Sequence, residues 1–264
     1  MKKRGKWRLI FSRPSFGPGN MAIDEALFLL SGSSGFDGTL RFYFWKPACI
    51  SLGYFQRPED ALDAALCKAS GIGITRRITG GGAIYHHAEI TYSITANLPN
   101  AVIPSNVDAS YRSLEEFIIK SLNMLGAKVS YRGKAEPENK NFYCFARPSK
   151  YDVVCGGKKI AGSAQRRSGR LFLQHGSILL NLKELDKMFA VLKPDCDIFP
   201  AKKAFEEKVT ALDAAPGQIP DKDEICKKLA RSFENTCRVE LREGTLTQKE
   251  KALAKSLIGK YTIL

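Results

Sequence analysis

The stretch Arg76-Arg77-Ile78-Thr79-Gly80-Gly81-Gly82-Ala83-Ile84-Tyr85-His86 concentrates residue types that can do chemistry. Consecutive glycines let a backbone approach a ligand without Cβ obstruction, and their amides can face an anion or a carbonyl. The arginines add fixed positive charge suited to a phosphate or carboxylate. A tight hairpin alone would also call for these glycines. The spacing matches neither the phosphate-loop nor the dinucleotide glycine pattern. A second segment, Gly157-Lys158-Lys159-Ile160-Ala161-Gly162-Ser163-Ala164-Gln165, alternates so that Lys159 and Ala161 share one sheet face and Ile160 and Gly162 the other. Lys159 is either a solvated hairpin lysine or a cation beside a thin run of small residues that leaves room for substrate. In Gln174-His175-Gly176-Ser177, the histidine reads as structural or as a substrate contact.

Strands and turns must hold these segments. Trp7 to Phe11 reads as a strand, and Asn20 as the cap of a helix through Ala22, Ala26 and Leu30, with Asp24 and Glu25 in its first turns. Strand-like runs follow at Leu40 to Trp45 and Cys49 to Tyr54, then a helix from Pro58 to Ser70 ending at Gly71. The β-rich runs Ile74 to Ile78 and Glu89 to Ala96 straddle the glycine turn. Helical periodicity covers Val107 to Leu125, and the polar stretch Gly133 to Phe142 reads as a mobile loop. A meander comes next: Tyr151 to Cys155, a Gly156-Gly157 turn, Lys158 to Ala164, a turn near Ser168-Gly169, and Leu171 to Leu180. Helices at 182–190, 221–236 and 247–260, with a strand at Arg238 to Leu241, complete the chain. The fold class expected is α+β, a mixed, largely antiparallel sheet flanked by helices. A catalytic domain over 1–192 would carry a small helix-rich C-terminal extension over 193–264, packed against it.

Composition narrows the function classes. In 264 residues, 41 Lys+Arg stand against 27 Asp+Glu, a net charge of +14. With 44% hydrophobic residues the chain is globular rather than disordered. No apolar run approaches the roughly 20 residues of a membrane span, and Arg8, Arg13 and Pro14 interrupt anything resembling a signal peptide. A cytoplasmic protein is expected. Seven cysteines without a Cys-x-x-Cys pair argue against disulfides and zinc, and with only three histidines, at 86, 87 and 175, no metal is expected. The charge points to nucleic acid, an anionic membrane or an acidic protein partner. Nucleic-acid binding would want an aromatic platform amid basic residues. Only Phe142-Tyr143-Phe145 beside Arg147 and Lys150 suggests one.

Taken together, Asn20-Met21-Ala22-Ile23-Asp24-Glu25-Ala26, Ser51-Leu52-Gly53-Tyr54-Phe55-Gln56, the Arg-Arg-x-Thr-Gly-Gly-Gly-Ala-x-Tyr-His stretch, Lys159-Ile160-x-Gly-Ser-Ala and His175-Gly176 resemble, in order, the lipoate/biotin protein ligase-like family. The resemblance runs from about residue 7 to 185. It implies a fold like class II aminoacyl-tRNA synthetases and biotin ligases. Tyr143-Cys144-Phe145-Ala146-Arg147-Pro148-Ser149-x-Tyr151-Asp152 and Glu89-Ile90-Thr91-Tyr92-Ser93 look most like the octanoyltransferases of lipoate-ligase-like type. Gly82 stands where these often carry arginine, an all-glycine turn being commoner in ligases.

The resemblance implies transfer of octanoyl from acyl carrier protein, through a thioester on Cys144, to a lysine of a lipoyl domain such as glycine cleavage H protein. Lys159 would stabilise the Cys144 thiolate and orient or deprotonate the incoming amine. Arg76, Arg77, Gly80, Gly81, Gly82, Tyr85, His86, Gly162, Ser163 and His175 would hold substrate. No cofactor, membrane or nucleic acid is expected. The alternative is an ATP-dependent lipoate ligase forming lipoyl-adenylate, which would need Mg-ATP; a non-catalytic acyl-binding protein is a third reading. On the transferase reading the positive charge serves acidic carrier and lipoyl domains, with Arg76, Arg77, Arg147 and Lys150 as the docking surface.

Overall fold

Period-two alternation along the strands decides the architecture. The computed structural model describes residues 4–134, 142–194, 196, 198–216 and 218–264. In chain order the elements are β1 (Lys6–Phe11), α1 (Gly17–Leu29), β2 (Gly38–Tyr43), β3 (Cys49–Leu52), α2 (Ala64–Ala69), β4 (Gly73–Arg76), β5 (Ile84–His86) and β6 (Glu89–Asn97). They continue with α3 (Val107–Met124), β7 (Val129–Tyr131), β8 (Val153–Cys155), β9 (Lys158–Ser168), β10 (Leu171–Leu179), α4 (Leu185–Phe189) and α5 (Ile198–Lys208). Last come α6 (Lys222–Cys237), β11 (Glu240–Glu243) and α7 (Gln248–Tyr261). The fold is α+β. An eight-stranded sheet runs β11-β1-β2-β6-β10-β9-β8-β7, with β1 parallel to both its neighbours and the other pairs antiparallel. A smaller sheet runs β4-β3-β5.

One face of the large sheet is apolar. Trp7, Leu40, Phe42, Ile90, Tyr92, Ile94, Phe172 and Ile178 pack against Phe117 and Leu122 of α3 and Leu229 and Phe233 of α6. The alternate residues point the other way, under α1, and are polar: Arg41 and Tyr43 of β2, Glu89, Thr91 and Ser93 of β6, His175 and Ser177 of β10. Register lines them up, with Arg41, Ser93 and His175 in one cross-strand row and Tyr43, Thr91 and Ser177 in the next. All are buried. The site is built on this polar face.

Several local expectations are corrected. Helix α1 starts at Gly17 behind Phe16, with Pro18 in its first turn. Asn20 therefore does not cap it; its amide instead donates to Ser15 O and Phe44 O. Asp24 and Glu25 lie in the buried body of the helix, not its first turn. The glycine stretch is not a hairpin joining β4 to β6, because β4 and β6 belong to different sheets. A short strand, β5, follows the glycines and pairs with β3. In β9 a register shift opposite Val153 and Val154 breaks the alternation, so the Lys159 side chain lies against Gly162 rather than on the opposite face. Helix α5 is a further element that the sequence expectations did not include. For 133–142, residues 135–141 lie outside the described residues.

The C-terminal residues share these layers: α6 completes the apolar core and β11 extends the sheet beside β1. Helix α7 packs on α1, where Lys260 and Tyr261 both donate to Glu25. Its Thr247–Glu250 capping box doubles as an anchor. Glu250 takes both prongs of the buried Arg8 guanidinium, at 2.6 and 2.9 Å. Among the described residues no helix is long and apolar enough to cross a membrane. Glu250→Ala strands the Arg8 charge and removes the carboxylate half of the α7 capping box, so urea unfolding should show a loss of about 3–5 kcal/mol.

Candidate active site

Two backbone segments meet at Cys144. The Ala83 amide donates to Phe142 O at 3.0 Å and the Cys144 amide to Ala83 O at 2.7 Å, zipping the end of the glycine turn to the cysteine segment. A Cβ on Gly82 would lie 2.8 Å from Cys144 N, so this position accepts no side chain without moving the cysteine. Gly81 has φ +99, which glycine adopts freely, and the place of its Cβ lies 3.7 Å from Cys144 Sγ. Gly53 closes the turn from behind: a Cβ there would stand 1.8 Å from Gly81 O.

Arg77 holds the turn from inside. Its Nη1 donates to Ser51 O and Ser51 Oγ, each at 2.6 Å, and its Nη2 to Gly82 O at 2.7 Å and Gly80 O at 3.4 Å. It is buried, so it is no part of a docking surface. Arg76 clamps the carbonyls of Gly53, Tyr54 and Gln56. Lys150 is partly exposed and pairs with Asp108 at 2.9 Å.

Lys159 lies behind the cysteine, with Nζ 2.8 Å from Asp152 Oδ1 and 3.3 Å from Cys144 O. Glycine at 162 makes room for it, since a Cβ there would come within 2.6 Å of Lys159 Cε. Burial works against the ammonium, yet the negative charge available at Cys144 and Asp152 prevails and raises its pKa. Lys159 is thus a fixed cation. All seven cysteines are free. Burial pushes Cys49, Cys226 and Cys237 up to about 12 and Cys67 to about 11, which keeps those thiols protonated. Cys49, Cys67 and Cys226 are buried as expected, whereas Cys155, Cys196 and Cys237 are only partly so.

A cavity of about 470 Å³ opens on Cys144, lined by Met21, Tyr43 and Trp45 on its apolar side and by His86, Thr91, His175 and Ser177 on its polar side. Arg77, Gly80, Gly81, Gly162 and Ser163 also border it. Tyr85 does not. Alternation along β5 turns it away from His86 into a second cavity of about 450 Å³, beside Phe145 and Met188.

The two histidines are each tied to a carboxylate. His175 places Nε2 2.7 Å from Thr79 Oγ1 and Nδ1 3.3 Å from Asp24 Oδ2. Asp24 also receives Arg41 at 2.7 Å and Tyr43 and Ser93 at 2.8 Å. Burial opposes its ionisation, but His175, Arg41 and Tyr43 outweigh that and hold its pKa low. His86 lies flat on Trp45, ring centroids 3.8 Å apart, between Ser51 Oγ and Glu89 Oε1, both at 2.5 Å. Burial lowers its pKa despite the pull of Glu89, so the ring is neutral. Asp24, Ser51, Thr79, Glu89, Thr91, Asp152 and Ser177 join the site only in the folded chain, beyond the residues expected from the motifs. Polar residues at every second position of three strands were the available signal.

Beneath β9, on the α3 side, Glu115 is buried and accepts from Ser163 Oγ. Burial pushes its carboxyl up to about 8 from an ordinary 4.5. Such a group stabilises the fold at low pH and withdraws that support as pH climbs. Wild-type stability should therefore fall between about 4.5 and 8 by an increment that Glu115→Gln lacks, as read from urea midpoints across that range. Gly53→Ala should cost about 1–3 kcal/mol in the same measurement, because the Gly81 carbonyl must yield.

Comparison with known proteins agrees with this architecture. The family model of the lipoyl protein ligase A/B catalytic domain matches residues 18–234. Octanoyltransferase LipM of Clostridioides difficile (strain 630) is 38% identical over 261 residues, covering 97% of this chain and 96% of that protein. A bipartite lipoate protein ligase solved with its E2 lipoyl domain, from Thermoplasma acidophilum, superposes with TM-score 0.76 at 30% identity, over 98% of this chain and 93% of that one. A lipoate-protein ligase A bound with ATP gives TM-score 0.76 at 28% identity, over 97% and 95%. The chain belongs to the lipoyl protein ligase A/B catalytic domain family.

Proposed function

We propose that this protein is an octanoyltransferase of lipoate biosynthesis, acting in the cytoplasm. It takes octanoyl from octanoyl-acyl carrier protein onto Cys144 and passes it to a lysine of a lipoyl domain such as glycine cleavage H protein. The observation that carries this reading is Cys144 on the cavity wall with the buried Lys159 ammonium behind it. A thiolate is the nucleophile, and a fixed ammonium favours it. The likeness to LipM of C. difficile over nearly the full chain supports the same activity, and the bipartite ligase solved with an E2 lipoyl domain supports that class of acceptor.

In the first step Cys144 sulfur attacks the carrier thioester, the new C–S bond replaces the old one, and the carrier leaves as its thiol. The exchange is nearly balanced in free energy and needs no ATP. In the second step the lysine nitrogen attacks the octanoyl-Cys144 carbonyl. The C–N bond forms, the C–S bond breaks and its electron pair returns to Cys144 sulfur. Of the two protons the lysine ammonium sheds on becoming an amide, one restores the Cys144 thiol and one leaves to solvent. Lys159, held charged by Asp152, stabilises thiolate in both steps rather than accepting a proton. The glycine turn beside Cys144 is suited to receive the tetrahedral oxyanion, a contribution of about 3 kcal/mol per donor. Met21, Tyr43 and Trp45 offer the alkyl chain an apolar wall.

The commitment of the cations also favours a thioester over an adenylate. Arg77 already serves Ser51, Gly80 and Gly82, and Lys159 serves Asp152 and Cys144 O, which leaves neither fork nor ammonium aimed at a triphosphate. Incubation with octanoyl-carrier protein should add one octanoyl group to the enzyme, as read by intact mass. Cys144→Ala should abolish that adduct and lower transfer by ~10³-fold or more. Transfer by the Cys144→Ala protein, or activity only with lipoate and Mg-ATP, would overturn the reading in favour of a ligase.

A further inference from the structure

Glu89 is a buried carboxylate with no lysine or arginine at ion-pair distance among the described residues, the Arg77 guanidinium acting on it only from farther off. Its side chain is 1% exposed, and its Oε1 receives three donors: His86 Nδ1 at 2.5 Å, Thr91 Oγ1 at 2.5 Å and Ser177 Oγ at 2.9 Å. Its Oε2 is buried and has no hydrogen-bond partner among the described residues. No lysine or arginine there pairs with Glu89, in contrast to Asp24 with Arg41, Asp152 with Lys159 and Glu250 with Arg8. The donors form directed chains. Arg77 donates to Ser51, whose hydroxyl faces neutral His86, whose other nitrogen donates to Glu89. Trp45 Nε1 donates at 2.7 Å to Thr91, which donates onward to Glu89. Every chain ends on the same oxygen.

His86, Thr91 and Ser177 also form the polar wall of the Cys144 cavity. Each spends its proton on Glu89, and the other His86 nitrogen is taken by Ser51, so it is the Thr91 and Ser177 oxygens that offer the cavity lone pairs instead of donors, with the carboxylate directly behind them. Such a surface attracts a cation and repels an anion, and in a buried setting the charge acts with little screening. We propose that Glu89 is a specificity-determining residue that makes this wall receptive to the acceptor lysine's ammonium and unfavourable to an acyl-adenylate, whose phosphate adjoins the reacting carbonyl. The proposal rests on the transferase reading. Under that reading the second substrate must bring a positive charge into the cavity, and the first brings its acyl group without a phosphoanhydride at the reacting carbon.

The test separates the half-reactions with Glu89→Gln, which keeps the shape and removes the charge. Octanoyl-Cys144 should form from octanoyl-carrier protein within about 3-fold of the wild-type rate. Transfer from the isolated acyl-enzyme should show a KM for the lipoyl domain raised about 10- to 100-fold, with kcat less affected. The non-hydrolysable sulfamoyl analogue of octanoyl-adenylate should bind the variant at least ~10-fold more tightly than wild type. Glu89→Asp, which retains the charge, should hold KM near the wild-type value. An unchanged acceptor KM in Glu89→Gln overturns the proposal. So does a parallel fall in both half-reactions, or an Asp variant that behaves like the Gln one, since each marks a structural role. Absence of any adduct on wild-type Cys144 would instead sink the transferase reading itself.

Discussion

A sheet that buries both its faces, one of them polar, has to satisfy every hydrogen-bond donor it takes out of water. That constraint organises this molecule. On the polar face the chain places two carboxylates, Asp24 from α1 and Glu89 at the head of β6, and the donors of three strands converge on them. Each carboxylate then fixes one histidine, so the ring orientations at the cavity follow from satisfying the core. The two differ in their charge balance. Asp24 has the guanidinium of Arg41 bonded to it, whereas Glu89 is bonded to hydroxyls and a neutral imidazole, with Arg77 acting only from beyond Ser51 and His86. One side of the cavity is electrically closed and the other is open.

The same economy governs the cysteine. Cys144 owes its position to backbone hydrogen bonds with Ala83 and to glycines that let the chains touch. Gly82 is the informative case: a longer residue there would need the cysteine segment to sit farther out, so the all-glycine turn and the placement of Cys144 are one feature. Arg77 contributes by gripping carbonyls on both sides of Gly81. A rigid thiol beside a rigid cation lowers the reorganisation needed when charge develops on sulfur.

Much of this was legible in the sequence. The meander from β8 to β10 was marked by Gly156 and Gly157, both with positive φ, and α3 by its apolar periodicity. Cys144 and Lys159 were reached through motif order, and they lie together. What was not legible depends on long-range packing. Arg77 looked like a surface cation because nothing nearby in sequence shows that Ser51 and Gly82 would consume it. Lys159 turns toward Gly162 because of a bulge, which is invisible to a period-two count. Asp24 resembled a helix-dipole residue until the helix proved to begin at Gly17. Glu89 was quoted within a motif, but its role requires β5 and β10 to be brought against β6.

The parallel ribbon of β1 between β2 and β11 has a mechanical meaning. Lys6 lies opposite Glu240, and Arg8 is held by Glu250, so a strand at one end of the chain is completed only by residues near the other. Such sequence-distant pairings carry the largest loop-closure cost. Helix α7, tied down by that same Arg8, covers the outer side of α1, the helix that presents Asp24 to His175. The helix that covers the polar face is thus itself held down from the far end of the chain, so the first helix and the last act as one mechanical unit over the cavity.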